Sequence, residues 1–562
     1  MLYGFNETGF NPHRFVFNVL EEPITMVKHK ALYAVHFGSE RIIFHEDVDA
    51  FIKELVRVFP DEEKGLHAFY QDMGDLYQKV IAQTPCFIPP DVVPKEQNFA
   101  QFKQHPFSYI KFLSYLNKNV KSLLRKYFKG EKILEFFDKM TSTYCYATVE
   151  EAPAVLGSVM FVDNHYGGSY YPGGSTLHLV GKLEKVIETN KGDCYYNQKV
   201  TRILVKEGAA YGVTTHTGET YFSNHIVYGG NIWSLYDTLL KDEVSPKTLK
   251  WAQSLAPTYP SVVFFAQVEK SVIPKDTLPI EMFITEKSHI AESELTMYLL
   301  SLDDETLCPP DAHVLVAIGP SFRKWPHSDE SAYHSPSYEV QKEEEIERIL
   351  QIFEKRFPGF SKHLCHLELA TPSSLERYIL KHEGAVAGPK QMLGQHMLRR
   401  QHTLTSIKGL VCCGEGTVMG TGTPAVTVSG IGAAHVILEQ LGLQPYSSKD
   451  CKANYVTIVP PPFKQEQLHM STVKEEDDLA HLALKCQFCE QPSCEQGCPI
   501  HMPISGILRR MAVGNFVGAY RQLPEGHFPC LSCSKCECMS SCITSTQEYP
   551  VPIHALLKGL NE

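Results

Sequence analysis

"IKGLVCCGEGTVMGTGTPAVTVSGIGAAHVILEQLG", residues 407 to 442, switches between three kinds of chain. Leu410 to Cys413 is a short apolar run of the buried-strand type, the glycines after it specify a loop, and Val428 onward reads as a helix. The small residues of "GIGAA" let that helix pack closely against a sheet. Strand, acidic residue, glycine-rich loop and helix together bring backbone amides and a helix N-terminus against a polar cofactor. A tight strand-to-helix turn with no ligand is the alternative reading of the same residues.

A second segment, residues 167 to 231, reads as a loop, a helix from Ser175, a strand around Val200 to Val205, a hairpin and a closing strand in "HIVYGG". Between and around these two segments the chain supplies a different texture. "SVVFFAQV", "EMFIT", "LTMYLLSL" and "HVLVAIG" are apolar β-rich runs separated by turns, which predicts an antiparallel sheet. "EVQKEEEIERILQIFEKRF" carries Ile346, Ile349, Leu350, Phe353 and Phe357 on one helical face, most simply a core stripe.

Composition bounds what such a chain does. At 562 residues it has room for roughly two to four domains of ~150 residues. With 43% hydrophobic and 11% aromatic residues it can bury large cores. A formal charge of -11 excludes a general nucleic-acid binder, which needs a basic footprint. The N-terminal stretch "MLYGFNETGFNPHRF" has no basic-then-apolar signal pattern, and the longest uncharged stretches are broken by proline or dense in glycine. The expectation is a cytoplasmic chain whose clustered thiols bind metal rather than form disulfides.

Nine of the 17 cysteines fall in the last eighty or so residues. Cys486, Cys489, Cys494 and Cys498 stand as C-x2-C-x4-C-x3-C with Pro499 directly after, and Cys530, Cys533, Cys536, Cys538 and Cys542 follow. Four thiolates from one short segment can surround a metal centre, and a cysteine followed by proline at the end of such a run is a ferredoxin habit. Zinc is the alternative, although zinc ribbons pair two C-x2-C knuckles and the first group has one. Between the groups, Ile504, Ile507, Leu508 and Met511 recur at helical spacing, and Phe516, Val517 and Tyr520 begin a second apolar stripe.

This cysteine-rich module resembles the N-terminal iron-sulfur domain of dihydropyrimidine dehydrogenase and of the glutamate synthase small subunit, with "CLSCSKCEC" in place of that family's "GRxCPxxCE" turn. The resemblance implies one [4Fe-4S] centre on Cys486, Cys489, Cys494 and Cys542. It implies a second on Cys498 and Cys538 with two of Cys530, Cys533 and Cys536.

The rest of the chain, roughly residues 1 to 440, resembles the phytoene desaturase and carotenoid isomerase branch of the FAD-dependent, amine-oxidase-like oxidoreductases. The residues that carry this are "YPGG" at 171 to 174 with its following helix, the strand from Val200 through Ile203, and the closing "GLVCCGEGTVMGTGTPAVTVSGIGAA". The resemblance implies an FAD held by Val200, Gly414, Glu415, Gly422, Thr423, Pro424 and Val426. Glu415 would meet the ribityl or pyrophosphate region, the backbone near Thr423 to Val426 the isoalloxazine, and Val200 the adenine. The family opens with a strand and G-x-G-x-x-G turn that seats the pyrophosphate, and no such segment stands before residue 167. A chain without it is expected to hold FAD weakly.

The expected fold is therefore an α/β, Rossmann-like FAD domain, incomplete at its N-terminus (156–235 and 391–442), with a discontinuous α+β substrate domain (1–155 and 236–390). A linker (443–478), rich in proline and ending acidic, leads to a small all-α double-cluster ferredoxin-like domain (479–562). The expected activity is oxidation, isomerisation or saturation of carbon–carbon bonds in a polyene or other apolar small molecule, with iron-sulfur clusters moving electrons. No catalytic acid or base is identified. An electron-transfer subunit serving a redox partner protein, or a scaffold with a decayed flavin site, are the other readings. Residues 101–129 hold seven Lys or Arg, no acid and many aromatics, a surface suited to peripheral contact with an anionic membrane. A half-buried helix with a solvated basic face accounts for them equally.

Overall fold

A computed structural model describes residues 3–7, 9–83, 85–284, 290–292, 294–464, 478–489, 491–524, 530, 532–534, 536–546 and 550–561. Thirteen residues of the segment read as a linker, 465–477, lie outside the described residues, as do Thr285 of "EMFIT" and parts of the second cysteine group's surroundings.

The β-rich runs assemble one seven-stranded sheet, in the order Leu364–Ala370, Ser261–Glu269, Ala312–Pro320, Leu295–Tyr298, Ile280–Ile284, Tyr33–Phe37 and Glu40–Phe44. Neighbours are antiparallel except for Ile280–Ile284 beside Tyr33–Phe37, which run parallel. The helix Pro336–Arg356 packs one face of this sheet, and Ile349, Phe353 and Phe357 are fully buried there, as the stripe predicts. A second, larger core sits where the helices Val48–Val58, Glu63–Tyr77 and Glu131–Cys145 cover the other end of the sheet with Phe51, Phe69, Phe136 and Phe137. Glu281, on a central strand and fully buried, is held by His36, Arg41 and Arg356 at 2.7, 2.8 and 3.1 Å.

The α/β part contains a parallel pair, Ile226–Tyr228 beside Leu410–Cys412, and an antiparallel meander of Val200–Lys206, Ala209–Thr215 and Thr220–Phe222. The helix Thr423–Gln440 follows the second parallel strand. It begins five residues earlier than the sequence pattern suggests. Pro424 accounts for this: in the first turn, proline has its dihedral preset and leaves no amide wanting a partner, so it starts the helix. Beside the pair, half-exposed Val227 opens on an apolar groove of about 830 Å³ walled by Phe17, Leu183, Ile431 and Leu438.

A third small sheet joins Val456–Val459 to Ile24–Lys28 in parallel and Ile24–Lys28 to Tyr170–Pro172 antiparallel. The first of these strands falls inside the segment expected to be a linker, so part of that segment belongs to the body of the molecule.

The cysteine-rich module has its own core, built on Ile504, Ile507, Leu508 and Met511 of the helix Ile504–Met511 together with Leu556 and Leu557. The second expected stripe is different. On the helix Phe516–Arg521 the small Gly518 and Ala519 face inward, while Val517 and Tyr520 are exposed, Tyr520 at 57%. Residues 101–129 form no single helix; Lys95–Gln104, Pro106–Leu113 and Val120–Leu124 are separate short pieces broken at His105 and Ser114.

Candidate active site and cysteine centres

The two parallel strands end in glycine-rich turns that meet. Gly414 has a left-handed φ of 91°, and a Cβ there would lie 3.0 Å from the Gly229 carbonyl oxygen, so only glycine lets the strand ends approach this closely. Between them opens a polar groove of about 1000 Å³ with Val200, Gly229, Gly414, Glu415 and Val426 in its walls. The Glu415 carboxylate pairs with Lys381 at 2.6 Å. Its backbone is held by Arg400, buried at 2% exposure, whose guanidinium donates to the carbonyls of Glu415, Thr417 and Pro389 at 2.6, 2.8 and 2.9 Å. Burial lowers the Arg400 pKa to about 10, which still leaves it charged at neutral pH. Ser429 ties loop to helix, accepting from the Gly414 amide at 2.8 Å.

The helix Thr423–Gln440 adjoins this region through Val426 of its first turn. Gly422, in the left-handed region at φ 100°, caps it without a side-chain hydrogen bond, so amides of its first turn are left for another acceptor. The residues suit a dinucleotide: a groove with glycine at both strand ends, one carboxylate, Glu415, and three cations, Lys199, Arg377 and Lys381, to meet phosphate charge.

Gly422, Thr423 and Pro424 themselves line a separate cavity of about 320 Å³. Tyr144, Tyr146, Tyr259 and Tyr298 line it with Met282 and Ile284. Tyr146 and Tyr259 meet edge to face, with centroids 5.6 Å apart. At its edge Glu294 pairs with the fully buried Lys139. Of the seven residues expected to bind cofactor, Val200, Gly414, Glu415 and Val426 line the groove, whereas Gly422, Thr423 and Pro424 line the neighbouring cavity instead. Lys381, Arg400 and the tyrosines were not identified from sequence; a lone aromatic gives no signal until the fold converges several from positions more than a hundred residues apart.

The nine thiols sort into two groups. Cys486, Cys489, Cys494 and Cys542 line one cavity, closed by Leu508, Val551 and Ile553. Burial, then the neighbouring thiols Cys542 and Cys486, pushes Cys494 up to about 12, and burial does the same to Cys486 at about 11. Cys498, Cys530, Cys533, Cys536 and Cys538 form the other group, and burial followed by their mutual proximity raises Cys530 and Cys538 to about 11. Thiols crowded in this way can act together as ligands to one metal centre, which takes up the charge of their ionised forms.

The module is fixed to the rest of the chain by a buried ionic network. Arg510, 2% exposed, reaches Glu188 through Nε (3.0 and 3.2 Å) and Nη2 (2.9 Å), and Glu184 through Nη2 at 2.7 Å. Arg509 holds Glu184 at 2.5 Å and Asn515 donates to Glu188 at 2.5 Å. Glu184, Glu188 and Cys194 lie close enough to suggest a cation site, but these arginines already satisfy both carboxylates.

Residues 464–560 match the family model described as dihydropyrimidine dehydrogenase domain II, 4Fe-4S cluster. The chloroplastic prolycopene isomerase of Arabidopsis thaliana is 27% identical over 430 residues, 74% of this chain and 69% of its own length. The 4,4'-diapophytoene desaturase (4,4'-diapolycopene-forming) of a Methylomonas species is 22% identical over 426 residues, 73% of this chain and 79% of its own. Among solved structures, an oxidoreductase from Methanosarcina mazei superposes with a TM-score of 0.49 at 13% identity, covering 77% of this chain and 86% of its own. By its sequence relatives and its family model, the chain is a homologue of the carotenoid isomerases and desaturases over about three quarters of its length, joined to a C-terminal 4Fe-4S domain.

Proposed function

We propose that the chain is an FAD-dependent oxidoreductase acting on carbon–carbon bonds of a polyene or similar apolar molecule, with two [4Fe-4S] clusters that pass electrons singly. The observation that carries this reading is adjacency through one helix turn: Val426 lines the polar groove, and Gly422 to Pro424, just before it in the chain, line the tyrosine-walled cavity. A flavin in the groove supplies hydride or single-electron exchange with a carbon held in the cavity. The chain's own residues do the rest. Glu415 and Lys381 grip the polar part of the cofactor, Arg400 keeps their loop in place, and the helix N-terminus offers amides to negative charge. Tyr146, Tyr259 and Met282 orient the substrate and exclude water. Cys486, Cys489, Cys494 and Cys542 hold one cluster, and four of the five remaining thiols hold the second.

Anaerobic purification followed by analysis of flavin, iron and acid-labile sulfide tests the cofactors. About eight iron and eight sulfide per chain, with flavin bleached by reduction, are expected. Stoichiometric zinc without sulfide, or protein that takes up no flavin, overturns the assignment.

No helix among the described residues is long and apolar enough to cross a membrane. A lipid-borne substrate is instead reached from the surface: Phe107 (86% exposed), Ile110 and Leu113 project from one short helix within the basic segment 101–129. This face rests on an anionic bilayer, apolar side chains in and lysines at the headgroups.

A further inference from the structure

The cavity beside Gly422 to Pro424 is not a hydrocarbon slot. The hydroxyls of Tyr146, Tyr259 and Tyr298 have no hydrogen-bond partner among the described residues, although all three side chains are at least half-buried and line the cavity. Other polar groups nearby are accounted for: the Tyr144 hydroxyl accepts from Asn164, and Glu294 is matched by Lys139. The three residues are partly buried and their hydroxyls are not sealed off, so they open onto the cavity and are free to hydrogen-bond whatever fills it. A purely apolar ligand would worsen the position by displacing the water that satisfies them. A site built to hydrogen-bond a substrate oxygen, by contrast, discriminates strongly against the analogue that lacks it.

We propose that Tyr146, Tyr259 and Tyr298 recognise a neutral oxygen at the end of an otherwise apolar conjugated substrate, so that the chain acts on a polyene alcohol or carbonyl compound in preference to a pure polyene hydrocarbon. The proposal rests on reading the cavity as the polyene site. Charge decides between oxygen types: among its described lining residues the cavity has one carboxylate, Glu294, and no cation, so an ionised acid finds no counter-charge there. Size agrees. At about 320 Å³ the cavity is at the low end of ligand pockets, which run from ~300 to ~1,000 Å³, and it suits one functionalised end and its adjoining double bonds. The terminus so held places the neighbouring carbons toward Thr423 and Pro424, in the turn whose Val426 lines the groove. Burial, followed for Tyr146 and Tyr259 by a neighbouring phenol and then by Glu415 and Glu294 respectively, raises the pKa of all three phenols, so they remain donors throughout the physiological range.

The test is equilibrium binding to the full chain, whose flavin and iron contents are measured first. The probes are a C20 polyene alcohol, its aldehyde, its carboxylic acid and the hydrocarbon of equal length, each followed by quenching of protein fluorescence. The alcohol and aldehyde are expected to bind at least about tenfold tighter than the hydrocarbon, and the ionised acid no tighter than the hydrocarbon. The triple variant Y146F/Y259F/Y298F keeps the rings and so the packing; it should bring that ratio to near one while leaving the hydrocarbon's affinity within about twofold. Equal binding of alcohol and hydrocarbon by the natural chain overturns the proposal alone, as does a triple variant that weakens both alike. Failure of every polyene to bind overturns the polyene reading of the cavity and this proposal with it.

Discussion

Replacing Arg510 by methionine should unfasten the iron-sulfur module. Arg510 makes three contacts of 2.9 to 3.2 Å with Glu188 and one of 2.7 Å with Glu184, all at a site from which water is excluded. With the guanidinium gone, Glu184 keeps Arg509, but Glu188 keeps only the Asn515 amide and becomes a buried, uncompensated charge. Removing one partner of such a pair costs about 3–5 kcal/mol, a factor of roughly 10² to 10⁴ in the docking equilibrium. Arg521→Ala is the contrast, because its 3.2 Å pair with Asp193 is solvent-exposed and worth at most about 1 kcal/mol. Amide hydrogen exchange in Thr176–Thr189 and Ile504–Met511 reads the opening directly. The double change Arg510→Met with Glu188→Leu removes both charges and should restore most of the protection. If Arg510→Met moves protection by less than about 1 kcal/mol, or the double variant fares no better than the single, the network does not hold the module. Acid offers a second handle. Burial alone would raise the Glu184 pKa, but hydrogen bonds from Arg509 and Tyr196 outweigh it and hold it low. A depressed carboxyl stabilises the folded form above its ordinary pKa of about 4.3 and loses that contribution as pH falls further. Docking should therefore be flat from pH 7 to about 5 and weaken below.

Cys494→Ser should abolish one cluster, measured as half the iron and sulfide, whereas Cys308→Ser and Cys365→Ser should leave both; in the five-thiol group one single replacement should be silent, since a cubane needs four ligands. Glu281→Gln should destabilise the seven-stranded sheet by about 3–5 kcal/mol in denaturant titration. Although burial opposes it, contact with His36 and Arg356 lowers Glu281 to about 2, so the natural chain should lose this stabilisation between about pH 4.3 and 2 and the variant should show no such step. Arg400→Met should loosen the 414–417 loop and lower bound flavin per chain, with little change in iron. Phe107→Ser with Ile110→Ser should release the chain from anionic vesicles in sedimentation, each buried side chain being worth about 1.5–3 kcal/mol. Lys121 and Arg125 are already engaged by Glu150 and Glu131, so changing them should matter less than changing Lys118.

What could be read in the sequence was local. The strand at Leu410–Cys412, the Ser175 cap and its helix, and the thiol spacings each reside in one short window, where period and turn chemistry suffice. Even there, Val517 and Tyr520 misled, because apolar spacing says nothing of which face a helix turns inward. The cavity was not legible: Tyr146, Tyr259 and Tyr298 come from a helix end and two strand margins that only the folded sheet brings together. Nor was the Arg510–Glu188 contact, whose partners lie 322 residues apart and, taken singly, look like surface charges.

One turn of helix, residues 423 to 426, touches both the polar groove, through Val426, and the tyrosine-lined cavity, through Thr423 and Pro424. Two ligands that bear on one turn are thermodynamically linked. If a substrate end seated under Pro424 tightens the loop, it raises affinity for the cofactor by the same factor that the cofactor raises affinity for substrate. The same geometry constrains variation: a replacement at Thr423 or Pro424 chosen to admit a bulkier substrate acts within two or three residues of Val426 in the groove wall, and should alter cofactor retention if the turn moves as a unit. On the proposed assignment of groove and cavity, substrate range and flavin occupancy are set jointly.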